Sequence, residues 1–131
     1  MKPLLLLVDD DEDDIILFKD ALDEVNPHFI LECAGNGREG IRKLNLMQPQ
    51  KPLYIFSDVN MPVMSGWDFL KELKQDKNLK DIPVIILTTL SQAEARSKAI
   101  HEGAADFFTK PVCGDDLRMI IASVTGILQD H

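Results

Sequence analysis

Five short apolar runs, each separated from the next by a segment of helical periodicity, constrain this chain more than any other feature. The runs are Leu4-Leu5-Leu6-Leu7-Val8, Phe29-Ile30-Leu31-Glu32-Cys33, Leu53 to Phe56, Val84-Ile85-Ile86-Leu87 and Phe107-Phe108. They have strand length, and the first and fourth are apolar without a break, as strands covered on both faces are. Between and after them, apolar residues recur at helical spacing. These are Ile15, Phe18, Leu22 and Val25; Ile41, Leu44 and Met47; Phe69, Leu70 and Leu73; Ala95, Ala99 and Ile100; and Leu117, Ile121, Val124 and Leu128. Strands that alternate with helices must run parallel, and right-handed crossovers then place helices on both faces of one sheet.

The expected architecture is α/β, a doubly wound (βα)5 three-layer sandwich with a parallel sheet in the flavodoxin-like order 2-1-3-4-5. Helix starts are marked by polar pairs at capping-box spacing, Asn36 with Glu39, Ser65 with Asp68 and Ser91 with Glu94. Asn26-Pro27 ends the first helix and Gly103 the fourth. The second run is the most polar and is expected at the sheet edge. The helix from Ser91 to Glu102 has little apolar area to bury, so it is expected to be held loosely. No repeat, linker or low-complexity segment interrupts the pattern, and residues 1–131 read as a single domain with no output domain.

A formal net charge of −8 disfavours nucleic acid and anionic membrane surfaces as direct partners. Six consecutive acids, from Asp9 to Asp14, carry much of that excess. Cys33 and Cys113 have neither metal-ligand spacing nor a disulfide framework, which suits reduced thiols in the cytoplasm. Leu4 to Val8 is too short for a membrane span or a signal peptide, and no membrane insertion is expected.

The chemistry gathers at the ends of the runs. Asp9 and Asp10 leave the first, Asp58 leaves the third, Thr88 ends the fourth and Lys110 follows the fifth. Ligands of open α/β sheets bind at the carboxyl ends of the strands, where strand order reverses. In the order 2-1-3-4-5 the first and third strands are neighbours, about 5 Å apart. Carboxylates that close cost each other on the order of 4 kcal/mol per pair near a protein surface. Either their pKa values rise or a cation sits among them, and hard, exposed oxygens suit Mg2+ with Mn2+ as a substitute. The acids from Asp11 to Asp14 read instead as partners of the helix dipole and solvated charge. Lys110 can offer its charge to a phosphoryl oxygen or to a carboxylate, and Thr88 one directional hydrogen bond. Together these groups suit phosphoryl transfer, with a carboxylate as nucleophile.

At this point the residues resemble a known family, the receiver domains of two-component response regulators, especially the single-domain, chemotaxis-regulator-like kind. The resemblance runs from Leu4 to Leu128. It rests on Val8-Asp9-Asp10, Ser57-Asp58-Val59-Asn60-Met61-Pro62 with Ser65-Gly66 following, Leu87-Thr88-Thr89 and Thr109-Lys110-Pro111. The family implies Asp58 as phosphoacceptor, taking the group from a histidine of a sensor kinase or phosphotransfer protein. It implies Asp10 as a direct Mg2+ ligand beside Asp58, Asp9 assisting through water, and the Asn60 backbone carbonyl completing the set. Thr88 matches the hydroxyl that moves to the phosphoryl group, Lys110 the partner of its oxygens, and Phe107 the aromatic switch that turns inward with it. Lys110-Pro111 matches a peptide bond that is cis in this family. The expected role is a monomeric or weakly dimeric regulator that signals to an unknown protein target through its fourth helix, fifth strand and fifth helix. Beyond its own phosphorylation and dephosphorylation, no enzymatic activity is expected. Asn60 and Leu90 flank the site and are expected to tune the lifetime of the phosphorylated state.

Other functions fit less well. A flavin protein of the same strand order needs a hydroxyl- and glycine-rich loop after the first strand, where this chain has six acids. A phosphatase of the haloacid-dehalogenase kind needs a second acid two residues after its nucleophile, where this chain has Asn60. A phosphate sink, a phosphorelay intermediate and a docking module that no longer needs phosphorylation remain as variants of the favoured reading.

Overall fold

Leu4–Val8 forms the first strand, β1, at the centre of the molecule, with Leu5, Leu6 and Val8 wholly buried. The computed structural model describes residues 2–89, 93–111 and 113–126. In order they form β1, α1 (Glu12–Val25), β2 (Ile30–Ala34), α2 (Gly37–Leu46), β3 (Tyr54–Ser57), α3 (Gly66–Gln75), β4 (Val84–Thr88), α4 (Ala93–His101), β5 (Asp106–Thr109) and α5 (Gly114–Thr125). All strand pairs are parallel, as the alternation of runs requires, and the order is β2-β1-β3-β4-β5.

Alternation along the strands divides the core in two, because successive side chains leave opposite faces. Leu6, Val8, Ile55, Val84 and Ile86 meet Leu44 of α2, Phe69, Leu70 and Leu73 of α3 and Ala99 of α4. Leu5, Leu7, Phe56, Ile85 and Leu87 meet Phe18 and Leu22 of α1 and Leu117 and Ile121 of α5. Phe18 and Phe56 make an edge-to-face pair, with centroids 5.0 Å apart. The two faces fix strand register, since a slip by one residue would exchange the two sets.

Local signals act as their chemistry requires. The Asn36 side chain accepts from the Glu39 N–H at 2.9 Å and that of Ser65 from the Asp68 N–H at 3.2 Å. Asp11 caps α1, accepting from the N–H groups of Asp13 and Asp14. The expected Ser91 cap, Leu90 beside the site and Leu128 on the last helix lie outside the described residues.

Three expectations need correction. β2 and β3 begin one residue later than expected, at Ile30 and Tyr54. Leu53 is 53% exposed, although its N–H still donates to the Leu4 carbonyl at 2.8 Å. Ile100 is 47% exposed and does not join Ala99 inside. It lies about 100° further round the helix, which turns it off the narrow stripe that α4 lays on the sheet. Lys110-Pro111 is not cis: among the described residues the cis peptide bond is Gln48-Pro49. The trans form is the ordinary preference of an X–Pro bond.

Candidate functional site

The carboxyl edge of the sheet collects the residues that the strand ends single out. Asp9 follows β1 directly, and its N–H donates to the Ala34 carbonyl of the neighbouring β2 at 2.9 Å, extending the ladder by one residue. Asp58 follows β3 in the same way, its N–H donating to Val8 at 2.9 Å. These extensions fix both backbones before any side chain is considered. Asp9 and Asp58 are buried, whereas Asp10 and Asn60 are exposed.

The backbone after Asp58 turns so closely that one position admits no side chain. A Cβ on Gly66 would stand 2.0 Å from the Asp58 carbonyl oxygen. The Gly66 N–H donates to the Val59 carbonyl at 2.8 Å, and the Ser57 hydroxyl to the Asp58 carbonyl at 2.8 Å. The first turn of α3 therefore braces the peptide that presents Asp58. In the intervening loop Val63 has φ 68°, and the Met64 N–H closes a tight turn on the Pro62 carbonyl at 2.7 Å. A β-branched residue in that region is strained.

Three carboxylates converge: one oxygen each of Asp9, Asp10 and Asp58 lies within 4.8 Å of the others. Lys110 brings the opposite charge from the far side of β4. Its N–H donates to the Thr88 carbonyl at 2.6 Å, and its Nζ stands 2.9 Å from Asp9, 3.1 Å from Asp58 and 2.6 Å from Asp14. The second oxygen of Asp58 accepts from the Val59 N–H at 2.6 Å, so both oxygens have fixed donors.

Burial pushes the Asp9 carboxyl above its ordinary value of 3.8, and the hydrogen bond from Lys110 only partly offsets it. Burial alone would lower Lys110, but its bonds to Asp14 and Asp9 and the charges of Asp58 and Asp9 outweigh that effect, and its pKa is raised. The ammonium is thus held charged among acids. The donors left for a metal are hard carboxylate oxygens with Asp10 open to water. This set fits a small divalent cation that keeps part of its hydration.

Thr88, the last residue of β4, is completely buried, two residues past the Ser57–Ile86 pair. Side chains two apart on a strand share a face, so Thr88 points to the same side as Ile86, whose partner on β5 is Phe107. Phe107 is only 4% exposed and belongs to the core beneath α4.

Asp14 is the residue that the sequence reading misplaces. It is no mere solvated partner of the helix dipole, because its carboxylate makes the shortest contact to Lys110. The signal was present: Asp14 stands four residues before Phe18, and side chains at that spacing share a helix face. Since Phe18 is buried against Phe56, Asp14 must overhang the carboxyl edge of the same sheet.

Comparison with known proteins follows this geometry. The family model described as response regulator receiver domain matches residues 5–122. A protein-glutamate methylesterase/protein-glutamine glutaminase of Pyrococcus abyssi is 35% identical over 99 residues, which are 74% of this chain but 26% of that protein. The chain therefore spans about a quarter of the length of that relative. The phosphorylated cyanobacterial phytochrome response regulator RcpA superposes with a TM-score of 0.85 at 25% identity, over 95% of this chain and 91% of that one. The Mn2+-bound form of response regulator Rcp1 gives a TM-score of 0.82 at 25% identity, over 95% and 92%.

Proposed function

This chain belongs to the response regulator receiver domain family, and from that premise we propose that Asp58 accepts a phosphoryl group from a histidine of a sensor kinase or phosphotransfer protein. The observation that carries the proposal is the Lys110 ammonium set between Asp9 and Asp58, at 2.9 and 3.1 Å. A carboxylate oxygen of Asp58 attacks phosphorus in line with the donor's P–N bond. The P–O bond forms as the P–N bond breaks, and the electron pair returns to the imidazole, which leaves neutral because its other ring nitrogen carries a proton. Lys110 moves its charge from the Asp58 carboxylate onto the phosphoryl oxygens, and the braced Asp58–Val59 peptide keeps the nucleophile in place.

The reaction depends on Mg2+, or Mn2+ in its place. Asp10, Asp58, the Asn60 carbonyl and, through water, Asp9 would hold the cation, and its charge would offset the negative charge of donor and acceptor. The Mn2+ named for Rcp1 supports that reading.

The response passes through Thr88 and Phe107 to α4, β5 and α5. Thr88 bonds the new phosphoryl group, and Phe107, on the same face under α4, repacks with it. Support comes from α4 itself, in which Ala99 is the buried residue, whereas Arg96 is tied to the Phe107 carbonyl at 2.8 Å. A protein target then reads the changed surface.

Intact mass after incubation with Mg2+ and acetyl phosphate tests the first step. The wild type gains one phosphoryl group and Asp58→Asn gains none. Equal gain in both proteins would place the acceptor elsewhere.

A further inference from the structure

We infer that Asp14 is a positioning residue for Lys110, keeping the ammonium beside Asp58 while Asp9, Asp10 and Asp58 take up a cation and a phosphoryl group. The inference deepens the reading of Asp58 as acceptor and rests on it. An ammonium has three N–H bonds, and Lys110 faces three carboxylates. Two of them, Asp9 and Asp58, belong to the set that converges within 4.8 Å and suits a cation, whereas Asp14 stands outside that set. With Asp9 and Asp58 as its only partners, Lys110 would compete with the cation for the same oxygens. Once displaced, its long side chain would regain its rotamer freedom and leave the site.

Asp14 removes that conflict. Its contact, at 2.6 Å, is the shortest of the three and lies on α1, so it persists when the other two carboxylates are engaged. The Lys110 side chain is 12% exposed and that of Asp14 34%, so the pair is partly shielded from water. Beside the pair lies a cavity of about 40 Å3, lined by Asp14 and Lys110 themselves and by Leu7, Phe18, Leu87 and Leu117. The apolar lining strengthens the ion pair by lowering the local dielectric. The helix supplies the rigidity, since Asp14 is fixed one turn before buried Phe18.

The sign of the effect separates this role from simple charge. A carboxylate that only added negative potential would repel an anionic phosphodonor, and its removal would speed loading. A positioning carboxylate does the opposite. Asp14→Asn should therefore load from acetyl phosphate about five- to tenfold more slowly at saturating Mg2+, with the loss in the maximal rate rather than in the donor concentration for half-saturation. Asp14→Glu should recover part of it. In a Lys110→Gln background, followed over hours, Asp14→Asn should have no further effect. With Mg2+ at saturation, the two Lys110 Cε protons should be inequivalent by NMR and average to one signal in Asp14→Asn.

Faster loading in Asp14→Asn, equal slowing in both backgrounds, or an averaged Lys110 signal already in the wild type would each overturn the positioning role alone. Phosphoryl uptake retained in Asp58→Asn would instead overturn the acceptor reading, and this inference with it.

Discussion

α3 and α4 lie on the same face of the sheet and are nearly equal in length, yet they are held by different forces. α3 lays Phe69, Leu70 and Leu73 wholly inside, and its first turn carries the glycine against the Asp58 backbone. α4 buries Ala99 and packs Ala95, partly buried, against the same core, while the attachments of its longer side chains are polar. Arg96 donates to the Phe107 carbonyl at 2.8 Å and stands 3.6 Å from Asp106, while the Lys98 ammonium lies 4.6 Å over the Trp67 ring of α3. Apolar burial fixes an element regardless of small rearrangements beneath it, because it has no direction. A hydrogen bond to one carbonyl or an ammonium over one ring depends on where its partner sits. α3 is thus suited to hold the acceptor still, and α4 to respond when Phe107 or its strand moves.

The largest test of that contrast is a pair of truncations. Phe69→Ala should lower stability by about 3–5 kcal/mol, the range for a fully buried phenylalanine. Ile100→Ala on α4 should stay within about 0.5 kcal/mol, as exposed substitutions do. Urea unfolding of both variants measures this, and an Ile100→Ala loss comparable with that of Phe69→Ala would break the comparison.

Gly66→Ala comes next, at about 1–3 kcal/mol by the cost of overpacking. The clashing atom is backbone, so the Asp58 peptide must shift to make room. Loading of Asp58 should fall more steeply than stability, by tenfold or more, because a displacement of about 1 Å can cost 100-fold in a positioned reaction. If loading stays normal, α3 is not the brace that this contrast requires.

A smaller effect should separate the two helices by their dynamics. Arg96→Ala removes a bond to the Phe107 carbonyl from a side chain that is 58% exposed, worth about 1 kcal/mol. Amide exchange in α4 should speed about fivefold while the amides of α3 keep their protection. Equal acceleration in both helices would mean that they open as one unit.

The two helices were also unequally legible in the sequence. The stripe Phe69, Leu70 and Leu73 announces both the face of α3 and its burial, since large apolar side chains leave little choice. For α4 the sequence shows that little is buried, but Ile100 was placed inside and the structure turns it out. With two alanines defining the stripe, an isoleucine one residue on is only weakly directed. At the site, strand ends show which residues meet, because topology alone brings Asp9, Asp58, Thr88 and Lys110 to one edge. Topology does not show how far a long side chain reaches. Lys110 spans from beyond β4 to Asp14 on α1, and an acid in a helix's first turn reads equally well as a dipole partner. The Lys110-Pro111 bond was illegible for another reason: its cis form was implied by resemblance alone, and among the described residues the cis bond is Gln48-Pro49.

The smallest expected effect concerns the loop that joins the acceptor to the brace. Val63, at φ 68° and 73% exposed, gains nothing from burial to offset its strained backbone. Glycine adopts that region freely but loses more chain entropy on folding, so the two effects partly cancel. Val63→Gly should therefore raise stability by about 0.5 kcal/mol, seen as a small upward shift of the urea midpoint with an unchanged slope. The same change should slow phosphoryl loading slightly, because the stiff turn helps hold the segment between Asp58 and Gly66. Higher stability with unchanged loading would show that the α3 contact alone fixes the acceptor. Lower stability would show that valine's restriction of the unfolded chain outweighs its strain in the folded one.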